Sequence, residues 1–99
     1  MNIFVKIANL SVLNMRVEVI FKVFPKNEKI NVKVLKKEIE KEILPEKIEE
    51  EPIAFGIVGI KFSKIIEDKE GEVEKIEEKL KNMENVGEYE VVSISRLFF

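Results

Sequence analysis

The sequence predicts an α+β sandwich, a four-stranded antiparallel sheet with both helices on one face. Three observations predict it. Two stretches, Arg16 to Phe24 and Ile57 to Ile66, are rich in β-branched residues and apolar on both strand parities, as central strands are. Two further stretches, beginning near Asn31 and Val73, repeat apolar residues at helical spacing. These elements and two more polar strands follow one another as β-α-β-β-α-β.

Each element has its own signature. In "RVEVIFKVF" Val17, Val19, Phe21 and Val23 fall on one face, while Ile20 and Phe24 add apolar surface to the other; Pro25, Lys26 and Asn27 then break the strand. Asn31 is placed to cap a helix in which Val32, Leu35, Ile39 and Ile43 share a stripe, with Lys36, Lys37, Glu40 and Lys41 on the wet side. Pro45 ends it, because the residue before a proline is pushed out of the helical region. Glu46 to Ala54 reads as an edge strand, since its charges discourage pairing with other chains and Pro52 is tolerated only on an edge.

Ile57 to Ile66 is the second central strand, followed by a loop over Glu67 to Gly71. Val73, Ile76, Leu80 and Met83 mark the second helix, acidic at its start and basic at its end, with Gly87 as its stop. Glu88 to Phe99 is the last strand. Two β-α-β halves of this size make a ferredoxin-like sandwich with the first and third strands in the middle, which are the apolar ones. The chain reads as a single domain over residues 15–99, with residues 1–14 as an extra arm or an added strand. Met15 stands directly before the first strand, so a start at Met15 is the alternative.

Composition narrows function. Apolar residues make up 45% of the 99 and charged residues 36%, with a net charge of −2. That suits a compact interior and gives no strong field of either sign to hold nucleic acid. There is no Cys and no His, hence no disulfide, no thiolate and no imidazole base. Heavy use of Glu and Lys with no Gln is a hyperthermophile-like bias. No apolar run approaches the ~20 residues that span a bilayer, and the start lacks a signal peptide's basic and cleavage regions, so a cytoplasmic location is expected.

No phosphate-binding glycine loop or nucleophile elbow is present. Glu49, Glu50 and Glu51 are the ligand type hard cations take, yet strand alternation puts neighbours on opposite faces, and a solvated edge is the expected role. Sheets of this topology also bind RNA through aromatics on the central strands, but "GIVGIKFS" lacks the required pattern, and Phe21 and Phe62 are expected in the core. Two features remain. Phe55 stands beside Gly56 where a turn would favour Asn, Asp or Ser, so it either folds into the core or is held out for a partner. Arg96 stands near the carboxyl end in "SISRLFF", where a surface cation or a rim salt bridge is the ordinary role.

With "PIAFGIVGIKF" (Pro52 to Phe62), the acidic loop and helix after it, and the terminal "SRL" (Ser95 to Leu97) in view, the chain resembles the archaeal elongation factor 1-beta family. More distantly it resembles the carboxyl-terminal exchange domain of the eukaryotic factor. The resemblance implies a guanine-nucleotide exchange factor that binds the GTPase elongation factor 1-alpha and speeds GDP release without bond chemistry. It implies no cofactor, no metal of its own, and no direct contact with nucleic acid or membrane. It places GTPase contact on Phe55, framed by Pro52, Ile53, Ala54 and Gly56, and perturbation of the GTPase's magnesium site on Arg96. The eukaryotic position is usually Lys, whose point charge differs from a planar guanidinium. Phe55 and Arg96 are expected close together on one outward surface. The rival reading is a ferredoxin-like RNA-binding or ribosome-associated module; a small-molecule-sensing regulatory domain of the same topology is a second.

Overall fold

The structure, a computed structural model, describes residues 15–97. The elements run β1 (Arg16–Pro25), α1 (Val32–Ile43), β2 (Lys47–Pro52), β3 (Val58–Glu67), α2 (Glu72–Lys81) and β4 (Val86–Leu97). The sheet order is β2-β3-β1-β4, with every neighbouring pair antiparallel. The expected ferredoxin-like sandwich is therefore the fold, and the two apolar strands are the central ones. The arm at residues 1–14 and the last two residues, Phe98 and Phe99, lie outside the described residues.

Local chemistry sets the element ends. The Asn31 side chain accepts hydrogen bonds from the N–H groups of Lys33 at 2.9 Å and Val34 at 3.4 Å, satisfying donors that α1 leaves open. At the other end Leu44 takes a left-handed conformation, φ 54°, and its N–H reaches the Glu40 carbonyl at 3.1 Å before Pro45 stops the helix. In α2 the Glu72 carboxylate accepts from Lys75 Nζ at 2.9 Å. That bond holds Glu72 below the ordinary carboxylate range and Lys75 above the ordinary lysine range.

The helix-side face of the sheet makes the core. Val17, Val19, Phe21 and Val23 of β1 and Ile60 and Phe62 of β3 pack under Leu35, Ile39 and Ile43 of α1 and Ile76 and Leu80 of α2. Phe21 lies directly opposite Phe62 in the β1–β3 register, and their rings stack with centroids 5.0 Å apart at 10°.

Several boundaries differ from the sequence expectation, three of them by more than a one-residue shift. The second helix ends at Lys81, and Met83 packs against the core from the turn beyond it. Gly87 is not the helix stop; it lies inside β4, because Val86 already pairs with Pro25. A Cβ at Gly87 would fall 2.9 Å from both Lys26 Cα and the Pro25 carbonyl oxygen, so close strand approach requires glycine there. The edge strand is also shorter than Glu46 to Ala54. Glu46 instead ties the chain to β3, its N–H donating to the Ser63 carbonyl at 2.9 Å and its carboxylate accepting from the Ile65 N–H at 2.6 Å.

Gly87→Ala tests this packing. Both close contacts are backbone atoms that cannot rotate away, so the substitution should destabilise the fold by about 1–3 kcal/mol, read as a drop in the thermal midpoint with the far-UV spectrum retained.

Candidate functional site at the two ends of the sheet

The β2–β3 hairpin forms one end. Pro52 closes β2 opposite Val58, on an edge strand where its missing N–H costs no ladder bond to a further strand. The Ile53 N–H donates to the Ile57 carbonyl at 2.8 Å, and the Ile57 N–H donates to the Ala54 carbonyl at 2.9 Å. The second bond closes a turn whose central residues, Phe55 and Gly56, both have positive φ, 54° and 78°. That is the sign pattern of a type I′ turn, which favours Asn-Gly. Gly56 meets the demand; Phe55 does not, and left-handed backbone costs a side-chain-bearing residue roughly 1–2 kcal/mol.

Phe55 receives no packing in exchange, since it is 100% exposed. Below it the hairpin is held firmly. Ile53 folds over Gly59, where a Cβ would come within 2.8 Å of Ile53 Cδ1 and 3.1 Å of the Val23 carbonyl oxygen. The frame is thus rigid and the ring is held out. Exposed Ile57 continues the apolar surface into a groove of about 760 Å³ between the hairpin, the β1–α1 loop and the start of β4, with Phe24, Ile30 and Val32 in its lining.

Arg96 marks the other end. It lies on β4 opposite Val17, with Glu67 and Leu97 both paired to Arg16 one step further on. Its side chain is 65% exposed, and its Nη2 is 3.2 Å from Asp68 Oδ2. Asp68, the sole aspartate of the chain, follows β3 directly, and its N–H donates to the Met15 carbonyl at 2.8 Å. The rim salt bridge expected for Arg96 is therefore present.

The structure does not bring Phe55 and Arg96 together. Phe55 lies just beyond Val58, whereas Arg96 is level with Val17 and Ile66. From Val58 to Ile66 along β3, at ~3.3 Å per residue, is roughly 26 Å. The expectation of one contiguous surface carrying both groups is overturned. Its physical reason is strand direction: β2 ends and β3 begins at one end of the sheet, while β4, parallel to β3, ends at the other. The two groups are fixed relative to each other, but at opposite ends of a rigid sheet.

Other chemistry gains no support. Phe21 and Phe62 are buried beneath the helices, so neither offers a stacking platform. Among the described residues no group of three or more Asp and Glu side chains is arranged to hold a metal ion, and no helix is long and apolar enough to cross a membrane.

The structure is thus a ferredoxin-like sheet with a projecting aromatic at one end and a cation at the other. The chain belongs to the EF-1 guanine nucleotide exchange domain family, whose model matches residues 18–97. It is similar to elongation factor 1-beta of Methanothermobacter thermautotrophicus, 42% identical over 77% of this chain and 90% of the relative. It is similar also to elongation factor 1-beta of Sulfolobus acidocaldarius, 43% identical over 86% of this chain and the relative's full length. Elongation factor 1-beta of Thermococcus gammatolerans is 38% identical, over 79% and 91% respectively. The archaeal elongation factor 1-beta family named from "PIAFG" and "SRL" is thereby shown.

Sequence reading passed over two residues at these ends. Ile57 was assigned to the strand but is an exposed apolar neighbour of Phe55. Asp68 was a loop charge but partners Arg96. The turn makes a sharp prediction: Phe55→Asn removes the backbone conflict and should raise stability by ~1 kcal/mol. A denaturant midpoint no higher than that of the unsubstituted chain would show that the turn stores no strain.

Proposed function

We propose that this chain promotes GDP release from elongation factor 1-alpha, in the cytoplasm, so that GTP can load. The observation that carries the reading is Phe55: a large apolar ring, fully exposed, on a turn whose backbone disfavours it. Strain of that kind persists where surrounding structure over-determines it, and it concentrates at ligand clamps. An aromatic held out on a fixed backbone makes an interface anchor of high value, because the backbone is already ordered and only the two torsions of the ring remain to be fixed.

Phe55 enters an apolar crevice of the GTPase, with Pro52, Ile53, Ala54 and Gly56 fixing its direction. A protein interface needs about 800 Å² from each partner, so contact continues over Ile57 and the groove beside it. At the far end Arg96 brings a permanent positive charge towards the GTPase's magnesium site. Tight GDP binding depends on Mg²⁺ bridging phosphate and protein oxygens, and a guanidinium there opposes rebinding of the metal. The salt bridge to Asp68 is no obstacle, since exposed pairs of this kind are worth only about 0.2–1 kcal/mol.

Roughly 26 Å of β3 separates the levels of Val58 and Ile66, and Phe55 projects beyond Val58, so the two groups are about as far apart as the ~35 Å width of an ordinary domain of 100–150 residues. One GTPase molecule can therefore be engaged at two points. Exchange needs no bond chemistry. It needs only tighter binding to the nucleotide-poor conformation than to the GDP-bound one, and the difference sets how far the equilibrium moves.

Release of fluorescent GDP from the cognate GTPase tests the reading. Phe55→Ala should weaken the functional complex by about 2 kcal/mol or more, seen as a rise in the concentration needed for half-maximal release. Arg96→Ala should lower the release rate even at saturation. Two folded variants with unchanged release would overturn the assignment of both residues.

A further inference from the structure

We propose that Asp68 is a positioning residue for Arg96, holding its guanidinium over the end of the sheet in the orientation from which it meets the GTPase. The inference rests on the role proposed for Arg96 and adds a residue to it.

Arginine carries large rotamer freedom, and an exposed one at a strand end samples many directions. Here one terminal nitrogen of the fork is paired with a carboxylate. Arg96 Nη2 lies 3.2 Å from Asp68 Oδ2, while the side chain remains 65% exposed. A guanidinium has five donors in a fixed plane, so holding one edge leaves the others free for a partner.

The carboxylate is itself well placed. The Asp68 N–H is tied to the Met15 carbonyl at 2.8 Å, which fixes the residue to the chain entering β1, the strand that pairs with β4. The neighbouring carboxylate does not compete, because Glu67 is engaged by Lys69 at 3.3 Å.

A double-mutant cycle on the full chain tests this, reading GDP release from elongation factor 1-alpha with thermal melts as the control on folding. Asp68→Asn keeps the shape and removes the charge, and should slow release roughly two- to fivefold with the melting midpoint little changed. Asp68→Glu, which can still reach the guanidinium, should restore most of the rate. In an Arg96→Ala background Asp68→Asn should cost nothing further.

Release by Asp68→Asn equal to or faster than that of the unsubstituted chain overturns the proposal. So does an equal slowing in the presence and absence of Arg96, which would mark a structural role. If Arg96→Ala is impaired and Asp68→Asn is not, the positioning role alone fails. If Arg96→Ala is itself unimpaired, the role of Arg96 fails and this inference with it.

Discussion

The antiparallel register between β1 and β3, from Arg16 opposite Glu67 to Val23 opposite Ile60, is the constraint on which the rest depends. It places Phe21 against Phe62 beneath both helices and aligns the alternating apolar residues of both strands on one face. A slip of one residue would turn that whole set outward. The same ladder acts as a ruler. With β2 held on one side of the pair and β4 on the other, the separation of the hairpin from the end of β4 is set by backbone hydrogen bonds rather than by side chains.

On that ruler the two ends proposed to meet the GTPase obey different physics. The hairpin end is costly: Phe55 adopts a backbone that Asn or Gly would take more easily, and it exposes its whole ring. In the proposed reading, stability is given up there for an apolar anchor on a fixed backbone. The Arg96 end is inexpensive, because an exposed ion pair adds little to stability and takes little to rearrange. Its contribution is directional.

Much of this was legible in the sequence. The central strands announced themselves by apolar residues on both parities, and α1 by Asn31 and the Leu35, Ile39, Ile43 stripe. "PIAFG" marked the turn because no ordinary turn preference explains its phenylalanine. Gly87 misled, since a glycine after a helical pattern reads as a stop, while the need for a missing Cβ against Pro25 and Lys26 exists only in three dimensions. The Asp68–Arg96 pair is separated by all of α2 and nearly all of β4 in sequence and meets because the ends of β3 and β4 both flank the start of β1. The distance between Phe55 and Arg96 was legible and was missed. A β-α-β-β-α-β order with antiparallel neighbours already requires the second hairpin and the end of the last strand to lie apart.

The contacts proposed at opposite ends of the sheet require a partner that straddles it. Hydrogen exchange of the 1:1 complex with nucleotide-free elongation factor 1-alpha measures that directly. Slowed exchange at the amides of Ala54 to Ile57 and, in the same complex, around Asp68 and Arg96 is the expected pattern. Protection at only one end, or across the open face of the sheet with both ends unchanged, would contradict a two-point grip.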